Sequence, residues 1–172
     1  AHPERPYITL VVLEALTSSN NLADGLTTER ESLEGFAVAQ LRQLDAPGSA
    51  DPIVRLLIAN AGRTMREGVR VANQLRLQAQ QDSSIVGVVG LDLSSTPTQQ
   101  TIAALTNAGL PMVASTLSAD PLADLNPMYF QVTPQNRREA AVAAGFAAQL
   151  PGPRVVRVYY SDDDADVYST NL

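Results

Sequence analysis

The sequence predicts an α/β fold: a doubly wound, mostly parallel sheet of about six strands with helices on both faces. Three observations predict it. Short apolar, β-branched runs alternate with segments of helical period almost from end to end, cap and turn residues separate them, and strands and helices follow one another singly. Strands joined through one helix have to run parallel, and right-handed crossovers then cover both faces of an open sheet.

The strand candidates are Tyr7 to Leu13, Ile53 to Ala59, Ile85 to Val89, Met112 to Ala114, Met128 to Val132 and Val155 to Tyr160. Between the first two, Thr28 and Glu31 have capping-box spacing, and Leu33, Phe36, Ala37, Leu41 and Leu44 recur on one helical face that should cover the sheet. A second helix is expected from about Arg66 to Gln80, with Val69, Ala72, Leu75 and Ala79 inward. The third has the clearest punctuation. Ser95 or Thr96 is its N-cap, Pro97 its first residue, Ile102 and Leu105 its inner face, and Gly109 its stop. Asp120-Pro121 opens a short helical turn; Thr133-Pro134 opens a longer helix, with Val142, Phe146 and Leu150 four apart, closed by Pro151-Gly152-Pro153.

Composition narrows the chemistry. The net charge of -6 repels phosphate backbones and anionic lipid, so nucleic acid is not an expected partner. All 12 basic residues are arginine, which removes lysine Schiff-base and lysine-base mechanisms. Cysteine is absent, so thiolate catalysis, disulfides and cysteine-based zinc sites are absent with it. The single histidine, His2, stands at the terminus, where fraying is usual. The first strand is followed by Glu14-Ala15-Leu16-Thr17 rather than a glycine-rich dinucleotide turn, and no phosphate loop with its lysine occurs, so no cofactor is expected. Ser94 and Ser95 lack flanking nucleophile-elbow glycines and an imidazole to activate them. No catalytic residue is therefore assigned, and the expectation is a non-enzyme.

In an open parallel sheet, ligands bind at the carboxyl ends of the strands, so the loops there matter most. The first carries Glu14, Thr17, Ser18, Ser19 and Asn20; the third carries Asp92, Ser94, Ser95 and Thr96; the fourth carries Ser115, Thr116 and Ser118. The sixth carries Asp162, Asp163, Asp164, Asp166 and Tyr168. Neutral hydroxyls beside a helix N-terminus suit a carboxylate, because exposed N–H groups and the positive dipole end favour an anion there. Ser95 or Thr96 can equally serve as a plain cap, and the two roles can coexist. Glu14, Asp92 and the Asp162 to Asp166 run leave open a magnesium-dependent phosphoacceptor, although no lysine is present to neutralise a phosphoryl group. No metal ligand is assigned, since a dense run of like charges most often faces water.

From residue 84 onward the order of motifs becomes specific: SIVGVVG at 84–90, Ser94-Ser95, AGLPMVAST at 108–116, and MYFQVTP at 128–134. This order resembles the type I periplasmic binding proteins, in particular the leucine/isoleucine/valine receptors of ABC importers. The resemblance implies that residues 1–153 form the first ligand-binding lobe and that 154–172 open a second lobe, mostly absent. It implies that Ser94 or Ser95, Thr116 and Ser118 hold the carboxylate and ammonium of an amino acid, and that Tyr168 covers it from the other lobe. Leu117 and Ser118 replace the family's small residue and threonine, and Ser169 replaces its glycine.

The function so implied is extracytoplasmic capture of an amino acid or similar small zwitterion for an ABC permease or a membrane sensor. A ligand-sensing regulator shares the fold but carries an N-terminal helix-turn-helix and a basic patch, whereas here a strand is expected from Tyr7, so a regulator is the weaker expectation. A truncated edge at Val155 to Leu172 would favour a homodimer.

Overall fold

A computed structural model describes residues 5–18, 26–46, 51–124, 126–152, 155–162 and 166–171. Ten regular elements alternate: β1 (Tyr7–Glu14), α1 (Thr27–Asp45), β2 (Ile53–Asn60), α2 (Gly68–Gln81), β3 (Ile85–Gly90), α3 (Thr96–Asn107), β4 (Met112–Ala114), α4 (Asp120–Asp124), β5 (Tyr129–Gln131) and α5 (Asn136–Gln149). Single turns of 3-10 type occur at Arg63–Met65 and Ser169–Asn171. The five strands form one sheet in the order β2-β1-β3-β4-β5, and every pairing is parallel.

β1 lies at the centre of the sheet's long strands. Val11, Val12 and Leu13 are all fully buried, which explains their unbroken apolar run: a strand covered on both faces has no polar side to show. Val11 and Leu13 join Val88, Met112 and Ala114 of the sheet, Val71, Ala72 and Leu75 of α2, and Ile102 and Leu105 of α3 in one core cluster. At about 25 cal/mol per Å² of apolar surface removed from water, this cluster is the main favourable term in the fold.

The expected helices form, with corrections to their faces. In α2 the buried residues are Gly68, Val71, Ala72 and Leu75, so Val71 replaces Val69, which is exposed. α1 starts at Thr27 with Leu26 at its N-cap and no side-chain cap bond, so the Thr28/Glu31 capping box does not form. None of its residues is buried, and Leu41 and Leu44 are exposed rather than inward. α1 is instead tied to the edge of the sheet by Gln40 Nε2 donating to the Val54 carbonyl at 2.7 Å and Gln43 Nε2 to that of Pro52 at 2.8 Å. In α5 only Asn136 is buried, while Val142 and Phe146 are 74% and 65% exposed. Apolar period marks a face able to pack; it does not supply the neighbour.

The sixth strand is the largest correction. Residues 155–160 form no ladder, and Val155, Val156, Val158, Tyr159 and Tyr160 are exposed. A strand pattern specifies a strand only where an edge is in reach, and the described sheet ends at β5 without pairing this segment. Residues 166–171 do return to the body: Ser95 and Asp166 form an antiparallel bridge, Tyr168 N–H donates to the Ser94 carbonyl at 3.2 Å, and Asn136 Nδ2 donates to the Tyr168 carbonyl at 3.1 Å.

Candidate ligand-binding site

The strand order fixes where a crevice must open. The chain leaves β1 toward β2 on one side and returns to β3 on the other, so the loops after β1 and β3 diverge at the sheet's carboxyl edge. The turn out of β3 is tight. Gly90 has φ 100° and Leu91 φ 61°, and Leu91 N–H donates to the Leu13 carbonyl at 2.9 Å. A non-glycine residue held in left-handed backbone, as Leu91 is, costs of order 1–3 kcal/mol and persists only where packing over-determines it; Leu91 is fully buried.

A cavity of about 610 Å³ lies at this edge. Asp92, Leu93, Ser94 and Ser95 form one wall, and Thr116 and Ser118 of the loop after β4 form the next. Asp166 and Tyr168 close another side. All five residues singled out from the sequence, Ser94, Ser95, Thr116, Ser118 and Tyr168, thus line one concavity. Arg63, Thr64 and Arg66, from the loop after β2, complete it. These three were missed by the sequence reading, which weighed the loops after the first, third, fourth and sixth strands; the strand-end rule, applied to the segment after Asn60, finds them.

The hydroxyls differ in what they already do. Ser95 Oγ accepts from Thr98 N–H at 3.3 Å and shares a hydrogen bond with Thr98 Oγ1 at 3.0 Å, so it caps α3. Thr116 Oγ1 donates to the Asp92 carbonyl at 3.0 Å, which ties the two hydroxyl loops together. Ser94 Oγ and the buried Ser118 Oγ have no partner among the described residues, and these are the groups left over for a ligand. Ser95→Ala should cost about 1 kcal/mol of stability, while Ser94→Ala stays within about 0.5 kcal/mol of wild type in urea denaturation.

Beneath the cavity three carboxyl groups crowd together. Glu14, only 1% exposed, accepts a short hydrogen bond at Oε1 from Ser32, and burial raises its pKa, with Glu29 adding repulsion. Burial first, then the charges of Glu29 and Glu14, push Asp92 up to about 7. Glu14 Oε2 and Asp92 Oδ2 are buried without a hydrogen-bond partner among the described residues. Among the described residues no three acidic, His or Cys side chains are placed to hold a metal ion, and Asp163 and Asp164 lie outside them. Asp166 is held the other way, below the usual carboxylate range, by the Ser169 hydroxyl (2.7 Å) and then its N–H (3.1 Å).

The Asp92 shift has a signed consequence. An aspartate in the unfolded chain loses its proton near pH 4, whereas folded Asp92 keeps it to about 7. Its contribution to stability is therefore complete below about pH 4, declines as pH rises and is gone above the folded value. Wild type should lose melting temperature between pH 5 and pH 8, and Asp92→Asn should lose less, with Glu14 leaving a smaller slope of the same sign. Equal slopes would contradict the assignment to Asp92.

No protein-family model and no curated protein matches the sequence. Solved structures do. An ABC transporter substrate-binding protein of Desulfitobacterium hafniense aligns with 98% of this chain and 45% of its own, at 22% identity and a TM-score of 0.67. The leucine-binding protein LivK of Thermotoga maritima aligns with 83% of this chain and 37% of its own, at 17% identity and a TM-score of 0.56. The branched-chain amino-acid substrate-binding protein LivJ of Streptococcus pneumoniae, solved with isoleucine, aligns with 75% and 34%, at 20% identity and a TM-score of 0.53. These neighbours are binding proteins. The chain spans less than half the length of each, and over that span it has the fold of the substrate-binding proteins of ABC transporters.

Proposed function

We propose that this chain is the ligand-capturing first lobe, residues 1–153, of an extracytoplasmic substrate-binding protein that takes up an amino acid or similar small zwitterion and passes it to an ABC permease or a membrane sensor. The observation that carries this reading is the convergence of Ser94, Ser95, Thr116, Ser118 and Tyr168 on one cavity at the switch point of the sheet. A carboxylate seated at the N-terminus of α3 meets the hydroxyls of Ser94 and Ser118 and the positive end of the helix dipole. Asp166, which lines the same cavity and is held below the usual carboxylate range, suits an ammonium group. Tyr168 lies over the same space, as a residue of the opening segment of a second lobe, 154–172, would.

The neighbours support the ligand class, since one is a leucine-binding protein and another holds isoleucine. The reading is of binding without turnover: the sequence has no lysine or cysteine to set beside these hydroxyls. A calorimetric screen of the chain against the twenty amino acids tests it. Saturable heat from at least one of them is expected, and silence from all twenty at millimolar concentration would end it. The exposed apolar run Val155, Val156, Val158, Tyr159 and Tyr160 further supports self-association through this segment, in which case light scattering gives a dimer mass that falls to a monomer on dilution. A monomer at every concentration would refute that.

A further inference from the structure

The loop after β2 contributes two exposed arginines to the cavity's lining. Arg63 and Arg66 both line it, and Arg66 N–H donates to the Arg63 carbonyl at 3.1 Å, the closing bond of a β-turn that sets its first and last residues side by side. The two residues between them are left-handed, Thr64 at φ 49° and Met65 at φ 64°, a costly backbone for a β-branched residue. The turn is pinned at every point. Met65 is fully buried, Gly62 N–H donates to Asn60 Oδ1 at 2.8 Å, and Glu67 N–H donates to the Ala61 carbonyl at 2.8 Å.

Two arginines fixed at the ends of one tight turn bring positive charge to the cavity, which favours an anion there. The acid within reach in sequence, Glu67, is engaged with Arg70 at 2.8 Å, and neither Arg63 nor Arg66 has an ion pair or side-chain hydrogen bond among the described residues. A neutral aliphatic amino acid does not supply what is missing. Its one carboxylate is satisfied by the hydroxyls and the α3 N-terminus and its ammonium by Asp166, which leaves both guanidiniums over. Among the described residues, Leu93, Pro97 and the Tyr168 ring are what such a side chain would have as an apolar wall.

We infer that the ligand of this cavity carries a second, distal anionic group read by Arg63 and Arg66, so that the site selects an acidic amino acid over an aliphatic or amide one. This rests on the amino-acid reading above and narrows it. Arginine suits the task because its planar fork meets a carboxylate with two parallel hydrogen bonds.

The test is a titration of the isotope-labelled 172-residue chain with L-glutamate, L-glutamine and L-leucine, followed by amide shifts in NMR at low salt. L-Glutamate and L-glutamine differ by one charge and almost nothing in shape. Glutamate is expected to bind about tenfold more tightly than glutamine, the scale of one charge-assisted hydrogen-bonded pair. In the Arg63→Gln/Arg66→Gln variant, whose exposed side chains leave the core untouched, that preference should vanish. Equal binding of glutamate and glutamine, or tighter binding of leucine, would overturn the inference and leave the amino-acid reading standing. A preference that survives in the double variant would overturn the role of the two arginines. No shift with any of the three would overturn the inference and count against the broader reading too.

Discussion

Replacing Gly90 by valine is expected to remove a large share of the protein's stability. A Cβ at this position would sit 2.9 Å from the Leu13 carbonyl oxygen and 3.0 Å from Glu14 Cγ, and the backbone there has φ 100°. The first neighbour is backbone of β1 and cannot turn away; the second belongs to a buried side chain. Valine adds two methyl groups to that clash and has no access to the required φ, so the loss should be about 3 kcal/mol or more, a large share of the stability of a domain this size. Gly145, inside α5, is the control. A Cβ there meets nothing within 4 Å, and Gly145→Ala should stabilise by about 0.5–1 kcal/mol through helix propensity alone. Urea denaturation followed by circular dichroism reads both. A Gly90→Val protein as stable as wild type would mean that the turn out of β3 is not the tight one described.

The second large effect falls on binding. Ser94→Ala/Ser118→Ala should weaken amino-acid binding by at least about a hundredfold, since each hydroxyl lost removes a hydrogen bond to a charged group, about 1.5–3 kcal/mol apiece, and a factor of ten is about 1.4 kcal/mol. Stability should change little, because neither hydroxyl has a partner within the described structure. Ser95→Ala is expected to show the reverse balance, losing its cap bond to Thr98. Calorimetric titration of the three variants beside wild type separates residues kept for the ligand from those kept for the helix. Wild-type affinity in the double variant would move the ligand away from these loops.

The fold was legible because its signals are local. The runs beginning at Tyr7, Ile53, Ile85 and Met112 each begin a strand, and Ser95, Pro97 and Gly109 bracket α3 within a residue or two of its ends. Convergence of Ser94, Ser95, Thr116 and Ser118 was legible for a different reason. The strand-end rule for parallel sheets turns a linear list of loops into one edge. What sequence could not supply was the depth of cover. α1 and α5 have the right period, yet Leu41, Val142 and Phe146 meet solvent, because periodicity does not say what lies opposite. Val155 to Tyr160 failed in the same way, as a strand pattern without an edge. Arg63 and Arg66 stayed hidden because their nearness depends on two left-handed residues, Thr64 and Met65, whose identities give no hint of that conformation.

The central claim, that this cavity seats a small zwitterion, is tested most directly by a crystal structure of the chain grown with the amino acid that binds most tightly in the calorimetric screen. The account predicts one molecule in the cavity, its α-carboxylate within hydrogen-bond distance of Ser94 and Ser118 and its ammonium facing Asp166. Density for the amino acid at another surface, with this cavity holding only water, would contradict it.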